Sequence, residues 1–294
     1  MRRTSPLVLL VLAACSSAST VGGLSGGAAD GSAGAGGGRP VPSAPPAQVV
    51  GVASLGRLQA GTGAATTQGN AMFLSPATDL SGSSFQDMFS GYIAVPIDAC
   101  VSLPTFSTSG GGQQNPLDAG QVGFVDEEGT AYALAALIPG FPVYQAKLPD
   151  AAFRPLSRYR LVATGGAVPA FEGAFWTPGP LTVTAPGATG ALVVDRAQPL
   201  TIRWSGAPDG DPIIVQLAQA DTKVTCRVRD DGEFTVPSAT LQAFADSASI
   251  DRSGGGAATD TMTVERVAWY PVGAGATATL VIATSGASFD LDLR

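Results

Sequence analysis

The chain has 294 residues, room for one large domain or two ordinary ones. Its net charge of −7 argues against nucleic acid and against electrostatic docking on anionic lipid, both of which call for a basic face. It contains no His, which removes Ser-His-Asp and Cys-His catalysis, His general bases and most zinc sites; the low charge with many Gly and Pro fits extracellular β-structure.

The N-terminus carries two basic residues, Arg2 and Arg3, then an apolar run from Leu7 to Leu12, then Ala13, Ala14 and Cys15. The run has the length of a signal-peptide core and falls well short of the ~20 apolar residues that span a bilayer. Leu12-Ala13-Ala14-Cys15 resembles the lipobox of bacterial lipoproteins. That resemblance implies cleavage after residue 14 and a diacylglycerol on the Cys15 thiol. It also implies a lipid-anchored protein of the bacterial cell envelope, and Ser16 in place of Asp leans towards the outer membrane.

Residues 15–46 are mostly Gly, Ala, Ser and Pro. Such a stretch buries too little apolar surface to offset its ordering entropy, so a disordered tether is expected. Short apolar runs broken by turn residues follow, from Val49 to about Pro180. Ser84–Phe89 places Phe85, Met88 and Phe89 at the spacing of one helical turn. Gln121–Val125 and Tyr132–Ile138 flank Asp126-Glu127-Glu128-Gly129 and read as a hairpin. Arg158–Ala163 and Phe171–Trp176 are further strands. Pro178 to Pro186 reads as the joint between two domains, 47–180 and 181–294.

In the second half, Leu200, Ile202 and Trp204 alternate with polar residues, as do Ile213, Val215 and Leu217, and Val224, Cys226 and Val228. Asp209–Pro212 turns the chain, and Asp230-Asp231-Gly232 reads as a hairpin turn before Phe234 and Val236. Pro237-Ser238 is expected to start a short helix by N-capping, with Leu241 and Phe244 three apart. Met262 and Val264 are in one phase and Val267 and Trp269 in the other, a slip that suggests a β-bulge. Leu280, Ile282, Phe289, Leu291 and Leu293 finish the chain. The expected fold is all-β, two tandem antiparallel β-sandwich-like domains. Leu200-Thr201-Ile202-Arg203-Trp204 resembles the early strand of fibronectin type III and immunoglobulin-like domains, where an apolar run ends in a buried Trp.

With Cys15 committed to lipid, Cys100 and Cys226 remain. Two free thiols are the expected state, because a bridge would need the two halves to meet at bonding geometry. Asp126–Glu128, Asp209 with Asp211, and Asp230 to Glu233 lack the spacing of a calcium loop and read as turns. Trp176, Trp204 and Trp269, with Tyr132, Tyr144 and Tyr270, read as core rather than as a carbohydrate platform. No catalytic, cofactor or metal site is expected, and Cys15 is the one modification site. The functional expectation is a non-catalytic binding or structural module, with a membrane partner through lipid and an envelope protein or glycan partner. A carbohydrate-binding module, lectin-like and calcium-dependent, or a carbohydrate-active one is the alternative.

Overall fold

The computed structural model describes residues 48–61, 63–74, 95–104, 116–138, 141–187, 190–206, 208–220, 222–250, 260–273 and 277–294. The expected signal segment, lipobox and tether, and the helical turn over Ser84–Phe89, lie outside the described residues. Sixteen strands follow in chain order: β1 Gln48–Ala60, β2 Ala65–Phe73, β3 Ala99–Pro104, β4 Val122–Asp126, β5 Ala131–Ile138, β6 Phe141–Leu148, β7 Arg158–Ala163 and β8 Phe171–Trp176. Then come β9 Thr182–Ala185, β10 Leu192–Val194, β11 Leu200–Ser205, β12 Ile213–Gln219, β13 Thr222–Val228, β14 Glu233–Val236, β15 Thr261–Val272 and β16 Thr277–Leu293. A single turn of helix, α1 Ser238–Leu241, precedes β15.

Twelve strands hydrogen-bond in the order β13-β12-β15-β16-β1-β2-β6-β5-β4-β7-β8, with β10 joined to β16, and β14-β11-β9 form a second sheet. The long path folds over at β5. Its first residues pair with β4 and its last with β6, so one strand belongs to both layers of the first sandwich. Phe73 meets Phe171, and Phe124 meets Phe175, in edge-to-face contacts that fill this layer. At Gly173 a Cβ would lie 2.3 Å from Cβ of Val272, so Gly lets β8 lie close over β15. The second sandwich packs β13, β12, β15, β16 and β10 against the three-stranded sheet. Ile202, Trp204, Val215, Val224, Val264, Phe289 and Leu293 are among its core residues.

The two sandwiches share β15 and β16. Met262 and Val264 enter the second core and Ala268, Tyr270 and Val272 the first. Val281 and Ala283 likewise serve the first, and Ala287, Phe289, Leu291 and Leu293 the second. The first core therefore takes side chains from far beyond residue 180. Both cores lie on one face of these strands, because the inward residues keep a single phase along each.

The β-bulge expected between Val264 and Val267 is not there: β15 pairs with β16 without a register shift from Thr261↔Asp290 to Val272↔Thr279. Val267 and Trp269 are buried because the opposite face of β15 is also covered, by Val52, Leu74, Ile214, Leu280 and Ile282. Burial on both faces mimics a phase slip. The joint from Pro178 to Pro186 is itself structured, since Thr182–Ala185 form β9 and pair with β11. Asp230-Asp231-Gly232 does not close a hairpin, because β13 pairs with β12 and β14 with β11; the segment carries the chain between sheets. The short helix starts at Pro237-Ser238 as expected, with Pro237 as the N-cap residue and no side-chain cap. The pairing between named strands is antiparallel except that β16 is parallel to both β1 and β10, and an isolated parallel bridge joins Ile97 to Arg227.

Candidate functional site

A cleft of about 540 Å³ lies on the face of the long sheet that points away from both cores. Pairing register builds it. Ile282, Ser54 and Asn70 stand opposite one another across β16, β1 and β2; Thr284, Gly56 and Gln68 form the next row, and Gly286, Leu58 and Thr66 the third. Alternation explains the lining, because residues of β1 and β2 that point into the first core, such as Leu55 and Phe73, leave their neighbours to this side. Gly56 keeps the floor low: a Cβ there would come within 2.7 Å of Thr284 Oγ1. Val52, Met72, Val143 and Ile282 make one end apolar, and Glu265, a buried residue, also lines the cleft. Asn70 donates from Nδ2 to Ser54 Oγ at 3.3 Å, which holds its amide in place. The chemistry on offer is that of neutral donors and acceptors over apolar ground with one carboxylate, Glu265, among the lining residues, suited to recognition.

The second built feature sits between the cores. Arg266, fully buried, is in phase with Met262 and Val264 and therefore enters the gap between the two sandwiches. Its guanidinium donates to Asp230 Oδ2 at 2.6 Å and to the carbonyl of Pro180 at 2.8 Å, and its Nε lies 3.7 Å from Asp209 Oδ1. Asp230 also accepts from Trp204 Nε1 at 2.8 Å, and Asp209 accepts from the amides of Gly179 and Asp211. A buried cation paired with two buried carboxylates is costly to expose and strongly directional. It fixes the joint, the Trp204 strand and two loops to β15. Asp209 and Asp230 were read from sequence as turn formers; they are also the counter-ions of Arg266.

Cys100 and Cys226 form a disulfide, in place of the two free thiols expected. Chain position had placed them in different halves, yet Asp98 N donates to the Arg227 carbonyl and sets the segment of β3 beside β13. Cys100 there packs against the second core, of which Cys226 is part. Arg227 donates to the Val95 carbonyl and stacks 5.0 Å over Trp269, and burial holds its pKa below the usual arginine value.

Asp126 accepts from the amides of Glu128 and Thr130 and from the Tyr132 hydroxyl, and so closes the β4–β5 turn. Burial, then the Asp126 charge, pushes the Tyr132 hydroxyl up to about 12. Asp118 is held below the usual carboxylate value, first by the Gly120 amide and then by the Tyr144 hydroxyl. Among the described residues, no three His, Cys, Asp or Glu side chains are grouped to hold a metal ion. Trp204 and Tyr144 are buried, and Trp176 packs on Tyr270, so these rings lie in packing rather than on a shared platform. Cys15 lies outside the described residues.

No protein-family model and no curated protein matches the chain. Solved structures of tandem immunoglobulin and fibronectin modules align with it only loosely. The first two immunoglobulin domains of DIP-gamma are 9% identical over 68% of this chain and 91% of theirs, with a TM-score of 0.17. The fibronectin(III)-like modules of CbhA from Clostridium thermocellum are 13% identical over 68% of this chain and 88% of theirs, with a TM-score of 0.19. A chimeric titin Z1Z2 tandem is 15% identical over 68% of this chain and 93% of its own, with a TM-score of 0.17. Superpositions this loose carry no argument, and the all-β sandwich architecture stands on the chain's own sheets and their two cores.

Proposed function

We propose that the chain is an exported lipoprotein, lipidated at Cys15, held at the outer membrane and acting as a non-catalytic binding module through the cleft on its long sheet. The cleft carries this reading: Ser54, Thr66, Gln68, Asn70 and Thr284 gather neutral hydrogen-bonding groups from three strands beside an apolar end. Such a lining, with Glu265 adding an acidic group, fits a ligand held by hydrogen bonds and contact area. The order of basic, apolar, small and Cys residues at the N-terminus supports the anchor, and a disulfide suits an oxidising compartment outside the cytosol.

Carbohydrate binding is the second reading, favoured by the hydroxyl and amide lining. The test pairs a glycan array with capture from solubilised envelope, using the mature protein and a Gln68→Ala/Asn70→Ala variant. A ligand held by the cleft is expected to lose about tenfold or more in affinity when two hydrogen-bonding side chains go. Equal binding by the two proteins overturns the assignment of the cleft. Mass spectrometry of the mature N-terminus tests the anchor separately; an unmodified terminus, or one downstream of Cys15, overturns it.

A further inference from the structure

The strand that begins the described chain and the strand that ends it are immediate neighbours and run parallel. β1 and β16 pair from Gln48↔Thr277 to Ala60↔Ser288, with one irregularity between Val49 and Gly51. β1 is also paired along its other edge with β2, and β16 with β15 over the whole length of β15. Neither strand is at an edge of its sheet.

This arrangement has a mechanical meaning. At ~3.3 Å per residue, the 17 residues of β16 extend for roughly 55 Å. Gln48 lies beside one end of that length and Arg294 follows the other. A tension applied between Gln48 and Arg294 therefore points along the strands. It pulls β1 one way and β16 the other, so it acts in shear on all the hydrogen bonds between them together. Tension directed across a ladder opens it one bond at a time and meets little resistance at each step. The Arg294 end is secured as well: β10 runs parallel to the last residues of β16, Arg294 N donates to the Val194 carbonyl, and Arg196 N donates to the Arg294 carbonyl.

The shared strand changes how the load passes between the two sandwiches. In two modules joined by a linker, tension runs through the linker and through each module in series. Here β16 is continuous through both, with Val281 and Ala283 in one core and Phe289 to Leu293 in the other. The load stays in one covalent strand, and the joint at 178–186 is bypassed.

We propose that the β1–β16 ladder is a shear clamp, giving the protein a load-bearing function: it keeps both sandwiches folded when the chain is stretched between Gln48 and Arg294. Its use in the cell rests on the anchoring proposed at Cys15, which would deliver tension to β1; the clamp itself is measurable without any anchor. Single-molecule force spectroscopy on the chain from residue 16 onward is the test, in two geometries. In the first, handles sit at the N-terminus and after Arg294. In the second, one handle sits at the N-terminus and the other is inserted directly after Gly273, an exposed residue just past the end of β15. Gln48 and Thr277 are opposite each other, so the second geometry pulls across the ladder. Forced rupture reports the unfolding barrier, so at one pulling speed the end-to-end geometry is expected to break at about twice the force of the transverse one or more. It is also expected to break as a single event. Equal or lower end-to-end force, or an early low-force event in which one sandwich opens alone, overturns the proposal.

Discussion

The two sandwiches reach stability by different means. The first has broad layers and fills the space between them with rings: Phe73, Phe124, Tyr144, Phe153, Tyr159 and Phe175 are all buried, and Tyr159 stacks on Phe175. The second closes a three-stranded sheet of short strands over a mainly aliphatic core. The second sandwich also carries fixed links: the Cys100–Cys226 bond, the Arg266 cluster, and Asp260, which accepts from Ser247 and Gln219. Ring packing thus marks one side of a common pair of strands, and covalent and ionic links mark the other.

The strongest way to break this contrast is at Arg266. Removing one partner of a buried ion pair leaves the others charged and dry, so Arg266→Ala is expected to cost about 3–5 kcal/mol in denaturant unfolding. Because Arg266 lies between the cores on a strand that serves both, the loss should appear in one transition. Two separated transitions would show that the sandwiches are independent. Reducing the disulfide sharpens the contrast from one side. The bond spans 126 residues, and its loss is expected to cost about 2–4 kcal/mol and to loosen the segment that it ties to β13. Hydrogen exchange should rise in β3 and β13 while β4 and β7 stay protected; a uniform rise would place the bond's effect on the whole molecule. The smallest effect belongs to the first sandwich. Asp118 has its folded pKa depressed below 3.8 by the Gly120 amide and the Tyr144 hydroxyl. Its contribution is present above the unfolded value and disappears as pH falls through the folded one. Melting temperature measured from pH 5 downward should therefore fall slightly more steeply in the native protein than in Asp118→Asn, and parallel curves would remove Asp118 from the account.

Alternation made several strands legible: Arg158–Ala163, Leu200–Ser205 and Ile213–Gln219 appear where the period-two pattern puts them, and the candidate strand Phe171–Trp176 is present as well. β2 was not legible, because its inward residues include Thr67, Gly69 and Ala71, too small to stand out against Thr66, Gln68 and Asn70. The cleft inherits that blindness. It depends on Ser54 standing beside Ile282, a pairing across 228 positions of chain that no local pattern encodes. The disulfide was hidden for the same reason, as the short β3 gives no hint of which strand it joins. Arg266 did leave a signal: it is the one charge in inward phase within the apolar run from Met262 to Val272, where a core residue is due. A charge at such a position calls for buried partners, and the acidic turns at 209 and 230 were the available ones.

The sharing of β15 and β16 also sets an order of events during synthesis. Neither core can be completed until the last quarter of the sequence is available, because Tyr270, Val281, Phe289 and Leu293 are needed to fill them. Contacts so distant along the chain slow folding, and a nascent chain that has emerged only as far as β14 lacks the strands that join its layers. For a protein proposed to cross a membrane before it matures, this delay has a use: the polypeptide stays threadable while it is being moved, and it locks into shape only once its C-terminal strands have arrived on the far side.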